Sequence, residues 1–265
     1  MEKIDIVLEI PGIEQEKTKS INVTYKRLLL YGGARKASDN SSFYYASLNV
    51  KKDYGNDGEF IHEPVNTAKS LVDIINRQED NSIQSLDVFC HGSEVALYFI
   101  KGSSINNNIT EEEVEEKDLH SPLAIGRTTN AISNWNLSGD ERLISDIDYN
   151  KFTTAAKIEI HGCNTAAVVR VAFWLDNLCE DLSENLYDAG KTNSVVIGHS
   201  TKANPNLPTT KIRKGESEKA WNIRKNKEQD YRHGERKVYN NGECILTTKK
   251  QGRITAEEIR NALSN

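Results

Sequence analysis

The sequence predicts an α/β protein built on a mostly parallel sheet flanked by helices. Three observations carry that prediction. Short runs rich in β-formers, at residues 85–89, 156–160 and 194–199, have the length and near-continuous apolar character of strands buried on both faces. A helical pattern precedes the first run and another follows the second, and helix alternating with buried strand is the unit of a parallel α/β sheet. The first two runs stop at glycines, Gly92 and Gly162, with His91 and Cys163 beside them.

Taken in order, residues 4–10 alternate and end at Pro11-Gly12, which predicts a strand and a turn. Residues 21–31 predict a second strand stopping at Gly32-Gly33, and 43–50 a third, followed by an exposed loop over 53–58. Pro64 is predicted to open a helix whose stripe is Ala68, Leu71, Val72, Ile74 and Ile75, since a first turn tolerates proline. That helix runs into the strand ending at His91, and Val95–Ile100 predicts a short strand after it. Residues 101–140, with the acidic run 110–118, break the rhythm and predict an insertion or long loop.

Residues 166–189 predict the longest helix, with Val168, Val169, Ala172, Phe173, Leu175, Leu178, Leu182 and Leu186 on its apolar face and Gly190 as its C-cap. Cys179 falls within it as a core residue. The last part, 202–265, is predicted as a basic loop, a hairpin centred on Asn241-Gly242, and a short helix capped by Thr255. The whole, 1–265, is predicted as a single domain.

Composition narrows the function classes. With 265 residues, 37% of them hydrophobic and 28% charged, the chain can bury a sizeable core. No apolar run approaches the roughly 20 residues of a membrane span. The acids near the N-terminus, Glu2 and Asp5, do not fit a signal-peptide layout. The four cysteines, Cys90, Cys163, Cys179 and Cys244, show no CxxC spacing, so reduced thiols in the cytoplasm are expected, or delivery into a target cell without a cleaved signal. The net charge of −5 argues against nucleic acid as a partner. Eleven Lys/Arg against five Asp/Glu between Lys202 and Lys237 make one basic segment, expected as a solvated surface.

The chemistry-bearing residues gather at the two strand ends. If those strands lie parallel and adjacent, the His91 imidazole meets the Cys163 thiol where open α/β sheets bind ligands. A thiol titrating near pH ~8.5 needs such a neighbour, or a helix N-terminus, to become a nucleophile. Gly92 would permit close approach of substrate, and its N–H with that of Cys163 would stabilise an oxyanion. A second arrangement uses Cys90, His91, His161 and Cys163 as four zinc ligands, although adjacent residues on a strand point to opposite faces. A third, Gly198-His199-Ser200-Thr201-Lys202, carries Lys202 where a nucleophile elbow requires glycine, leaving His199 and Ser200 as cleft-lining residues. Tyr231-Arg232-His233-Gly234 reads as an exposed turn, and His62 and His120 as surface or loop residues.

The segments Phe89-Cys90-His91-Gly92 and Cys163-Asn164-Thr165-Ala166 also carry a resemblance. They are similar to the histidine and cysteine segments of the caspase-like cysteine peptidases, most of all bacterial CHAT domains. Gly162 departs from the Ala or Asp that many members have there. The resemblance implies a caspase-like fold, His91 as general base, Cys163 as nucleophile and Gly92 in the oxyanion hole of a cysteine endopeptidase. It also implies a bacterial effector, toxin or defence protease. A protein or peptide substrate is then the expected partner, with room for an activator, and no cofactor is expected. The alternative from another class is a catalytically inactive caspase-like module that binds a partner through the same cleft.

Overall fold

In a computed structural model, the structure describes residues 2–8, 17–23, 25–32, 37–99, 130–134, 142–169, 175–203 and 211–264. It is an α/β architecture with a mostly parallel seven-stranded central sheet. Strands are numbered in chain order. The central sheet runs β13 (Glu243–Thr248), β12 (Arg236–Asn240), β11 (Val195–His199), β10 (Phe152–Ile160), β5 (Ile83–Phe89), β3 (Lys26–Gly32) and β4 (Glu59–Val65). The five strands from β11 to β4 are mutually parallel, and β12 and β13 close one edge antiparallel. A four-stranded sheet, β6 (His91–Gly92), β7 (Ala96–Phe99), β8 (Asn130–Ser133) and β9 (Arg142–Leu143), continues from the end of β5. β1 (Glu2–Leu8) and β2 (Lys17–Val23) pair antiparallel as a third, two-stranded sheet. Among the described residues, no helix is long and apolar enough to cross a membrane.

Helices cover both faces of the central sheet. On one side α2 (Ala68–Asn76) and α3 (Leu178–Asp188) pack Leu71, Ile75, Leu178 and Leu182 against Leu86, Val88, Ile158 and Ile160. On the other, α1 (Ala37–Tyr54) presents Phe43, Ala46, Val50 and Tyr54 to Leu29 and Phe89. Beside α1, α5 (Ala256–Leu263) lays Ile259 and Leu263 against Val195, Ile197 and Val238. A further helix, α4 (Glu218–Lys227), lies in the basic segment.

Several elements depart from the sequence expectations for identifiable reasons. Residues 43–50 are helix, not strand: the Tyr44-Tyr45 pair suggests β structure, yet the buried positions 43, 46, 50 and 54 follow a helical period. Pro64 lies in β4, not in a helix. As an edge strand β4 can accommodate a residue without an N–H, and α2 starts instead at a capping box formed by Thr67 and Ser70. The expected strand over 21–31 is divided between β2 and β3 in different sheets.

The expected helix over 166–189 is helical only from Leu178. Asn177 accepts from the N–H groups of Cys179 and Glu180, and the Glu180 carboxylate accepts from the Asn177 N–H. A turn over 163–166 runs instead into irregular chain through 169, and 170–174 lie outside the described residues. Most of 101–140, including the acidic run and His120, also lies outside them, although β8 falls within that stretch. The Asn177 amide nitrogen additionally donates to the Tyr239 hydroxyl at 3.2 Å, joining α3 to β12. Asn177→Ala is therefore expected to cost about 1–2 kcal/mol, read as a lower urea midpoint with an unchanged m-value.

The C-terminal hairpin follows the prediction. Asn241 (φ 49°) and Gly242 (φ 74°) both sit in the left-handed region that a tight two-residue turn requires. Gly190 takes φ 78° just past the end of α3, and Thr255 caps α5 with Glu258.

Candidate active site

The two strand ends meet. β5 and β10 are parallel neighbours, pairing Lys157 with Ser85 through to Ile160 with Val88, and the His161 N–H continues the ladder to the Val88 carbonyl at 2.8 Å. Beyond that bond both strands end, and the chain continues into His91-Gly92 on one side and into a bend and turn carrying Gly162 and Cys163 on the other. The backbones touch at the glycines: a Cβ on Gly92 would lie 2.6 Å from Thr165 Cγ2, 3.1 Å from the Cys163 carbonyl oxygen and 3.4 Å from Gly162 Cα. A Cβ on Gly162 would lie 3.2 Å from the Cys90 carbonyl oxygen. Only glycine at both positions lets the segments approach this closely.

Strand alternation decides which side chains share the site. Asp87, Phe89 and His91 point to the α1 face: Asp87 receives the Tyr54 hydroxyl at 2.8 Å, Phe89 lies in the α1 cluster, and His91 packs edge-on against Phe43 at 5.4 Å. Phe43 in turn stacks on Tyr231. Cys163 belongs to the same face. Its Sγ accepts from the Ala203 N–H at 3.3 Å, and Ala203 packs against the Phe43–Tyr231 cluster. His91 thus touches this apolar cluster directly, and Cys163 is joined to it through Ala203.

The turn that carries Cys163 is held from the neighbouring strand. The Asn164 N–H donates to the Thr201 carbonyl at 3.0 Å and the Ala166 N–H to that of His199 at 2.9 Å. Asn164 adopts φ 58°, a left-handed conformation that asparagine tolerates better than most residues. Burial pushes the Cys163 thiol above its ordinary pKa, while the Ala203 N–H and the Lys202 charge pull the other way. The thiol is therefore protonated at neutral pH, and a base must remove its proton. The expected help from a helix N-terminus is absent, because α3 begins at Leu178 rather than beside Cys163.

The other candidates are sorted by face. Cys90 points away from His91 into the α2–α3 core, fully buried, with its thiol pushed strongly upward by burial. His161 stacks on Phe89 at 4.1 Å, and its Nε2 donates to Asp87 Oδ1 at 3.1 Å. Cys90, His91, His161 and Cys163 are therefore not gathered as four zinc ligands. Asp87, Glu159 and His161 do bring ligand atoms within 4.8 Å of one another. Their carboxylates, however, are already engaged by Lys157 (3.2 Å to Asp87, 2.7 Å to Glu159) and by Arg236 (2.8 Å to Glu159).

His199 ends β11 fully buried, its pKa pushed down to about 3 by burial and by His161 and Arg236, so it is neutral. Ser200 donates to Glu235 Oε1 at 2.8 Å, and Gly198 serves packing, since a Cβ there would lie 2.4 Å from Cys179 Sγ. Cys179 is core, as expected. His62 is not a loop residue: it lies in β4 beside Tyr31 and Tyr44 and contacts Ser47 Oγ at 2.7 Å. Nor is 231–234 simply an exposed turn. Tyr231 and Arg232 are buried, and Arg232 pairs with Asp230 and Asp53. The basic segment likewise spends Arg224, Arg232 and Arg236 on internal ion pairs.

The sequence reading missed Ala203 and Phe43. Ala203 acts through a backbone N–H, which no residue type announces. Phe43 was obscured by the strand assignment, and a helical period over 43–54 would have placed it on the sheet.

A buried ionic row runs along the strands that lead to His91 and Cys163. Burial alone would raise the Asp87 carboxyl; Lys157 and the His161 hydrogen bond hold it below its ordinary value. Glu159 is held well below by Lys157, His161 and Arg236 against the same burial penalty. Both carboxylates therefore add stability that is complete above the ordinary carboxylate range of about 4 and is lost as pH falls through their lowered folded values. The contribution of these two carboxylates should be flat above about pH 5 and drop in acid, added to a decline that His199 starts below about pH 6.5, where the unfolded imidazole takes up a proton and the buried one does not. Asp87→Asn should reduce the acid slope in a series of urea melts, and an unchanged slope would remove Asp87 from the account.

Compared with protein-family models, curated proteins and solved structures, the chain matches none.

Proposed function

We propose that this protein is a caspase-like cysteine peptidase in which His91 and Cys163 form the catalytic dyad. The observation that supports the reading is the parallel β5–β10 pairing, whose carboxyl ends lead into His91 on one strand and Cys163 on the other, with Gly92 close against Gly162 and the Cys163 carbonyl. The likeness of residues 89–92 and 163–166 to the histidine and cysteine segments of that superfamily supports the same reading.

The chemistry follows from the local environment. Because burial keeps the thiol protonated, His91 accepts the Cys163 proton as sulfur attacks the scissile carbonyl, rather than resting as a preset ion pair. The C–S bond forms as the carbonyl π pair moves to oxygen, and backbone N–H groups of Gly92 and Cys163 receive that oxyanion. Collapse expels the amine, which takes the proton from His91. Water, deprotonated by His91, then attacks the thioester and releases the acid and the thiol.

Profiling against a proteome-derived peptide library, with Cys163→Ala as control, tests the activity. Cleavages present with the native protein and lost in the variant are expected. Identical profiles for the two proteins would favour a binding module on the same scaffold.

A further inference from the structure

A cavity lies away from the proposed dyad, at the other end of β5 and β10. It has a volume of about 710 Å³ and is bordered by Arg27, Tyr54, Lys157, Arg253, Ile259 and Arg260, between α1, α5 and the sheet. Ser85 on its floor and His91 are six residues apart on one strand path, a separation of about 20 Å. The volume falls within the roughly 300–1,000 Å³ typical of small-molecule sites.

Its electrostatics are one-sided. Three cationic groups crowd the Tyr54 ring: Arg27 Cζ lies 4.4 Å, Arg253 Cζ 5.0 Å and Lys157 Nζ 5.4 Å from its centroid. Arg27 is matched by Asp57, and Lys157 by Asp87 and Glu159. Arg253 meets only the Asp53 carbonyl oxygen at 3.2 Å and the ring, and Arg260 has no carboxylate partner among the described residues. Two guanidinium charges therefore face this cavity without a compensating carboxylate among the described residues. Apolar lining comes from Val195, Ile254, Ile259 and Leu263, on and beside α5. That helix docks without a fully buried residue, leaving space beneath it.

We propose that this cleft binds a small organic anion, phosphate or carboxylate, whose charged end pairs with Arg253 and Arg260 and whose body rests against α5. Guanidinium forks pair bidentately with either group. The site is separate from the dyad, and its test does not depend on peptidase activity.

The test is calorimetric titration of the full chain at low ionic strength with three probes: ATP, citrate and uncharged adenosine. The expected result is saturable binding of at least one of the two anions, no binding of adenosine, and at least a tenfold weaker affinity in Arg253→Gln/Arg260→Gln. ATP binding alone assigns a phosphate ligand, and citrate binding alone a carboxylate. Arg260→Glu changes an exposed side chain only, and it should abolish binding while leaving the melting temperature unchanged. Absence of binding by both anions, equal affinity in the double variant, or equal binding of adenosine would overturn the proposal.

Discussion

Alanine at Cys163 is expected to abolish peptide hydrolysis, and alanine at His91 to lower kcat by about 10²- to 10⁴-fold with little change in KM. The asymmetry follows from the proposed roles. Cys163 forms the covalent bond, so its loss removes the pathway. His91 moves a proton that solvent can still accept slowly. Because burial raises the Cys163 pKa, the His91 variant should recover activity as pH rises and hydroxide takes over as base. A His91 variant that loses nothing at neutral pH would remove the imidazole from the mechanism. Gly92→Ala should impair both steps, because its Cβ would collide with Thr165 and the Cys163 carbonyl and push the strand ends apart.

The largest expected stability effect lies at Arg236. Its guanidinium, fully buried, donates to Glu159 Oε1 at 2.8 Å and to the carbonyl oxygens of Lys250 and Gly252, both at 2.7 Å. One side chain thus ties β10, β12 and the segment leading to α5. Arg236→Met would leave the buried Glu159 carboxylate with Lys157 alone and two carbonyls without donors, at a cost of about 3–5 kcal/mol in urea unfolding. The cost belongs mostly to the orphaned charge. Adding Glu159→Gln should therefore recover part of it, and a double-mutant cycle reads the coupling directly. Strict additivity of the two changes would contradict the pairing.

Where sequence patterns were strong, the fold was readable from them. The buried runs now seen as β5, β10 and β11 had no competing interpretation, and Asn241-Gly242 and Thr255 act through backbone chemistry that is local to the turn and the cap. The errors came where local patterns conflict. At 43–50 aromatic residues favour a strand, but the sheet surface selects the helical stripe of Phe43, Ala46 and Val50. At 166–189 apolar residues continue across a real boundary, which the Asn177-to-Glu180 capping box marks.

The candidate site was readable as far as its residue types: His91 and Cys163 could be placed at the ends of two strands that are parallel neighbours. The surroundings were not readable, because they depend on distant parts of the chain. Ala203 reaches Cys163 across a gap of 40 residues, and the ionic row joins Asp87, Lys157, Glu159 and Arg236 from three strands. Burial of Arg232 and Arg236 also could not be inferred from a run of like charges that resembles a solvated face.

The most direct test of the central claim is covalent trapping. The native protein and His91→Ala are incubated at neutral pH with a peptidyl electrophile, and the modified residue is located by mass spectrometry. Selective labelling of Cys163 in the native protein, slowed by at least about 10²-fold in the variant, is the predicted result. Equal labelling of both proteins, or modification elsewhere with Cys163 untouched, would contradict it.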